Sequence, residues 1–212
     1  MKKIPQVIFL LVTFSLVTTS IAGESPATDL KTANESSGER YVNLDAKGKT
    51  IRTKKTVARC VKDTNTGLVW ELKTDDDGVH DKDKSFRWGG IGADKIGSIF
   101  FDDWNNFLTT TNKEKLCGFN DWRVPTIDEL KSLVVSGAAN QIGSESSEQK
   151  PAINTEYFAL TLPSPYWSVS AYENYPDHAQ TVHFGNGASY YYNGYRGNQL
   201  PLRLVRGSVK TN

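Results

Sequence analysis

The sequence predicts an α+β domain with two helices against small antiparallel sheets, and three observations carry that prediction. The stretch Leu116 to Val135, LCGFNDWRVPTIDELKSLVV, joins a turn, a Trp–Arg–Val strand and a capped helix within twenty residues. Short strand patterns separated by turn chemistry recur on both sides of it, at 57–72 and 166–206. A second run of apolar residues at helical spacing, Trp104, Phe107 and Leu108, lies just upstream.

At the start, Lys2 and Lys3 precede an apolar run from Val7 to Val17, and Ser20-Ile21-Ala22 offers small residues for cleavage. Residues 1–22 therefore read as a secretory signal peptide, the run being short for a transmembrane helix, with an uncleaved membrane anchor as the alternative. The chain is expected in the periplasm or at the cell surface, with no transmembrane segment after cleavage. The full chain has 25 basic and 24 acidic residues; without Lys2 and Lys3 the balance is 23 to 24, a net of −1. Such a balance gives no footing for nucleic acid or an anionic membrane as partner. Residues 23–55 are Ser, Thr, Lys, Glu and Asn with few large apolar side chains, which reads as a flexible spacer.

The domain is expected over 56–207, with 208–212 as a tail. Val57 to Val61 and Leu68 to Leu72 flank the turn Asp63-Thr64-Asn65-Thr66-Gly67 and read as a hairpin. Cys60 and Cys117 are the only cysteines, and an even count in an exported chain argues for one disulfide. The alternative, free thiols or a metal or redox site, finds no C-x-x-C and no histidine beside either cysteine. Lys73 to Ser85 is crowded with carboxylates. Asp75, Asp77, Asp81 and Asp83 around Gly78 are candidate calcium ligands, the only cofactor the sequence suggests. EF-hand spacing is absent and Lys82 and Lys84 dilute the charge, so the competing reading is a solvated acidic loop with no metal. His80 reads as a surface residue. Gly90-Ile91-Gly92 opens like a dinucleotide fingerprint, but Lys95 stands where the third glycine belongs.

Asp102 or Asp103 is the expected cap of a helix near Asp103–Thr111. The second helix, Ile127–Val135, begins at a T-x-x-E capping box, Thr126 with Glu129, and Gly137 is its expected stop. Residues 140–150 read as a polar loop. The last third is aromatic: eight of nine tyrosines lie between Tyr157 and Tyr195. Tyr166 to Ser170 and Ala179 to Phe184 read as strands, and Asn186-Gly187 turns into a return strand, Ala188 to Tyr192. Leu200 to Arg206 closes the domain. Alternation puts Tyr190 and Tyr192 on one face and Tyr191 on the other. Exposed tyrosine with Asn and Ser around it is the composition of recognition surfaces. Tyr172, Tyr175, Tyr190, Tyr192, Asn193 and Tyr195 are the candidate ligand-binding residues. No G-x-S-x-G, H-E-x-x-H or Walker A loop is present, so a non-enzymatic reading is preferred.

Cys117-Gly118, Asp121-Trp122-Arg123-Val124-Pro125-Thr126 and Glu129-Leu130 together resemble the core motif of the Lcl C-terminal domain family, bacterial exported domains of unknown function. Thr66-Gly67-Leu68-Val69-Trp70, Tyr166-Trp167-Ser168 and Arg203-Leu204-Val205-Arg206 agree in order. The resemblance implies a C-type-lectin-like fold, in which Val57–Val61 pairs with Leu202–Arg206. Related enzymes of the formylglycine-generating type use late cysteines, and this chain has none after Cys117. The expected function is an exported binding module for a glycan or surface protein. The alternatives are a structural domain of an envelope assembly, or an enzyme whose site is assembled from residues distant in sequence.

Overall fold

A computed structural model of the chain describes residues 39–52, 56–136 and 150–208. The expected signal peptide, most of the expected spacer, the Gly137 stop and nearly all of the 140–150 loop lie outside them. Eight short strands and two α-helices make up the described fold: β1 (Tyr41–Leu44), β2 (Cys60–Asp63), β3 (Val69–Glu71), β4 (Ser85–Phe86), α1 (Asn105–Glu114), α2 (Ile127–Lys131), β5 (Pro165–Ala171), β6 (Ala179–His183), β7 (Leu200–Pro201) and β8 (Val205–Arg206). All strand pairs are antiparallel, in a four-stranded sheet of order β1-β2-β3-β8 and two hairpin-sized sheets, β4-β7 and β5-β6. The mixed α and β content and small antiparallel sheets agree with the sequence.

Two expectations are corrected here. The spacer does not run to residue 55, because Tyr41–Leu44 pairs with β2 and buries Tyr41 and Leu44. Arg40 fixes its register: the guanidinium reaches the buried Asp63 carboxylate at 3.0 Å and Ser132 O at 2.7 Å. The closing strand does not pair with β2. Its partner is β3, with Trp70 opposite Val205, while β2 lies between β3 and β1. On its other side Val205 exchanges two backbone hydrogen bonds of 2.9 Å with Arg123. The Trp122-Arg123-Val124 segment thus extends the sheet.

These strands bury both faces. Cys60, Val69, Trp167 and Leu204 belong to one core with Trp88, Trp104, Phe107 and Trp122. Their chain neighbours Val61, Trp70, Tyr166 and Val205 belong to a second core with Ile127, Leu130, Phe158 and Phe184. Period-two alternation here divides two cores rather than core from solvent. Four of the five buried indoles find a carbonyl: Trp88 Nε1 donates to Ser168 O, Trp104 to Ile91 O, Trp122 to Leu116 O and Trp167 to Phe86 O. The Cys60–Cys117 disulfide is formed in the first core, both cysteines being buried.

The helices differ from expectation at their ends. Asp103 does not cap α1, because Arg87 takes both its oxygens at 2.8 Å. α1 runs on to Glu114 and turns at Lys115 in the left-handed region, φ 56°. The α2 capping box is present in full. That helix ends at Lys131 rather than Val135, since Val135 N–H donates to Ala152 O and Val134 bridges Ile153.

Candidate functional site

The hairpin β5-β6 carries the aromatic third. After Trp167 the register shifts, and β5 places two extra residues before Ala171 meets Ala179. The bulge frees Val169 N–H to donate to Pro125 O at 2.8 Å, which ties the hairpin to the Trp-Arg-Val-Pro motif. At its far end the loop 172–178 turns through His178 N–H to Tyr175 O, 2.8 Å.

The return strand expected over Ala188 to Tyr192 is not formed. Ala188 makes one bridge to His183, and Tyr191–Gly194 then winds into a 3₁₀ turn. The chain crosses the hairpin end, where Tyr195 bridges His178 and Arg196 N–H donates to Asp177 O at 3.0 Å. In a 3₁₀ turn side chains no longer alternate between two faces. Tyr190 stacks on Tyr192 with centroids 5.1 Å apart. Tyr191, which the alternation assigned to the opposite face, joins the same surface and stacks on Tyr175 at 4.6 Å and 8°. Edge contacts link Tyr172 to Tyr175, Tyr191 to Tyr192, and His178 to Tyr175, Tyr191 and Tyr195. Seven rings form one connected surface cluster.

Of the six candidate residues, Tyr175, Tyr190, Tyr192 and Tyr195 are exposed, while Tyr172 and Asn193 are half-buried. Sequence reasoning left out Tyr191, 47% exposed, and half-buried His178. The tyrosine run itself was the available signal, and the strand assumption hid it.

The cluster rests on a fixed bed. Arg196 is fully buried beneath it, donating from Nε to His178 O and from Nη1 to Ile99 O, with its guanidinium 4.2 Å over the Trp88 ring. Burial pulls its pKa down, against the nearby Asp177 and Asp94. Gly97 at φ +94° and Gly194 each bring backbone so close that an added Cβ would sit 1.9 Å from Pro176 O or Ala179 O. Ser98 Oγ donates to Asp177. Three chain segments therefore meet under the rings without slack.

The structure does not gather Asp75, Asp77, Asp81 and Asp83 around one point. Asp81 is buried and accepts the backbone N–H groups of Asp76, Asp77 and Asp83. These bonds hold its pKa below the usual carboxylate value. Lys82 binds Asp75 at 2.6 Å and Asp83 at 2.9 Å. Among the described residues no group of three or more metal-ligating side chains is assembled.

His80 is not on the surface. It is buried, its Nδ1 lies 2.7 Å from Glu71 Oε1 and its Nε2 contacts Glu114. Glu71 is fully buried and also accepts from Lys73 Nζ at 3.0 Å and Leu204 N–H at 2.8 Å. Burial acts against the Glu71 carboxylate, yet Lys73, His80 and the Leu204 amide hold its pKa at about 2. Burial likewise opposes charge on His80, and the two glutamates outweigh it and raise its pKa. Arg203 Nη1 donates to Glu71 O at 2.7 Å. Running from β3 through His80 to the exposed end of α1, this network is a polar cross-brace.

A groove of about 580 Å³ runs past Ile91, Leu108, Trp122, Val124 and Val169, and its walls contain no histidine, cysteine or carboxylate. His183 Nδ1 accepts from Gly185 N–H at 3.0 Å, and His178 packs among the tyrosine rings. No described helix is long and apolar enough to cross a membrane.

Compared with known proteins, the chain matches the family model described as the Lcl C-terminal domain over residues 59–206, more than half its length. No curated protein and no solved structure matches it.

Proposed function

This chain belongs to the Lcl C-terminal domain family, and from that premise we propose that it is an exported, non-enzymatic binding module. It presents its tyrosine face to a glycan or protein ligand at the cell envelope or surface, on a C-type-lectin-like scaffold. The observation that carries this reading is the connected cluster of seven rings outside a domain that already buries its five tryptophans. Rings not needed for the core are held rigid on the outside. Tyrosine gives large contact area with little side-chain entropy to lose. The paired cysteines and the apolar run at 7–17 support export.

The test is an array of glycans and surface proteins probed with the full chain, followed by Tyr175→Ala and Tyr192→Ala. The reading expects at least one hit that both variants weaken about tenfold, some 1.4 kcal/mol. Hits that ignore both substitutions, or no hit, would overturn it in favour of a structural role in an envelope assembly.

A further inference from the structure

Charge and ring geometry on the tyrosine face narrow its ligand further. Between Tyr172 and Gln199 the sequence holds one lysine or arginine, Arg196. Arg196 is fully buried with its guanidinium over Trp88, so it offers no cation at the surface. The charges that do reach solvent there are the carboxylates of exposed Glu173 and half-buried Asp177. The adjoining loop contributes Lys95, flanked by exposed Asp94 and lining a groove with Asp102. A sulfated or carboxylated chain laid on this face meets carboxylates and no exposed arginine or lysine among the rings. Anion recognition needs the opposite arrangement.

Ring geometry also disfavours a cation. A cation–π cage directs several ring faces at one empty point, with the charge within about 6 Å of each centroid. Here Tyr175 and Tyr191 stack face to face at 4.6 Å, and Tyr190 and Tyr192 at 5.1 Å. The facing sides fill each other and leave no gap for an ammonium group. The four stacked residues still keep 37–59% of their surface exposed, with Asn174, Asn193 and Asn198 around them. A pyranose ring has a flat C–H face that packs on the electron-rich face of an aromatic ring, and hydroxyls that exchange hydrogen bonds with amides and phenols.

We infer that the tyrosine face binds an uncharged polysaccharide, with sugar rings packed on the Tyr175–Tyr191 and Tyr190–Tyr192 stacks. This rests on the binding reading above and deepens it. The experiment is affinity electrophoresis of the full chain through gels containing laminarin, mannan, galactomannan, xyloglucan or dextran, beside gels containing heparin or dextran sulfate. At least one neutral polysaccharide is expected to retard the protein. That retardation should change less than about twofold between about 50 and about 500 mM NaCl, because no ion pair is involved. Tyr191→Ala and Tyr192→Ala should each weaken it about tenfold. Tyr192, 59% exposed, is the safer substitution for folding, and unchanged melting of both variants is checked in parallel.

Retardation only by heparin or dextran sulfate, fading with salt yet still lost in the tyrosine variants, overturns the inference and leaves the binding face standing. A protein ligand that needs the same tyrosines, with every polysaccharide gel silent, does the same. Neutral-polysaccharide binding indifferent to the tyrosine variants overturns the inference and the assignment of the face together.

Discussion

Glu71 is the last residue of β3 and has no exposed surface, and its carboxylate stays charged because both oxygens accept hydrogen bonds. Lys73 and His80 share Oε1, and Leu204 N–H takes Oε2. From the other side His80 meets Glu114, and Phe107 packs on its ring at 5.8 Å. Two linkages of opposite sign follow. The Glu71 pKa is lowered to about 2, so its contribution is present above the ordinary value of 4.5 and is lost as pH falls toward 2. For His80 the pKa is raised, so its contribution is present below the ordinary 6.5 and is lost as pH rises through the elevated value. Thermal stability should therefore be greatest between about pH 4.5 and pH 6.5. In His80→Gln the decline on the alkaline side should flatten, and parallel melting-temperature profiles of the two proteins from acid to alkaline pH would refute the assignment. Glu71→Gln leaves Lys73 buried without its counter-charge and should cost about 3–5 kcal/mol. None of this was legible at residue level. A histidine amid five aspartates reads as solvent-exposed, and only the fold brings Glu71 and Glu114 to it.

At the scale of elements, the 121–129 segment shows which signals the sequence carries. The capping box was legible because it is local: Glu129 N–H donates to Thr126 Oγ1 and Thr126 N–H to Glu129 Oε2 at 2.9 Å, three residues apart. The rest of Glu129's role was not. Arg123 binds it bidentately at 2.6 and 2.7 Å and reaches Gly207 O at 2.8 Å, so the cap also clasps the end of β8. Asp121 and Arg206 form a second bidentate pair across the same junction. Glu129→Gln keeps the cap and loses the ion pair, whereas Glu129→Ala loses the ion pair and the side-chain half of the capping box. The expected losses are about 1 kcal/mol for Gln and about 2–3 kcal/mol for Ala, read by urea denaturation. Equal effects would mean that only the ion pair matters, and an unaffected Gln variant that only the cap does. The same distinction explains the misread ends. α1 loses Asp103 to Arg87, α2 stops where Val135 finds Ala152, and β1 hides in a polar stretch because only β2 and Arg40 reveal its apolar side.

At the scale of the whole molecule, two cores share one set of strands, which sequence alternation alone could not anticipate. Alternation alone would spare one face of a strand for solvent, yet Trp70 and Tyr166 are as buried as Val69 and Trp167. The tyrosine face depends on the first core through Arg196 and Trp88, and the disulfide lies in that same core. Cys60 in β2 is tied to Cys117 just past α1, 57 positions on. Opening this loop frees the unfolded chain, which the chain-entropy model puts at about 4 kcal/mol. For a domain of this size that corresponds to roughly 8–16 °C in melting temperature. Cys60→Ser with Cys117→Ser should melt lower by that amount and still fold, because Trp88, Trp104, Phe107 and Trp122 keep the first core filled. Ligand retention below the new midpoint should equal that of the parent, since none of the seven surface rings belongs to the core that holds the disulfide. Binding lost at temperatures where the variant remains folded would show instead that the disulfide holds the face in shape through the first core.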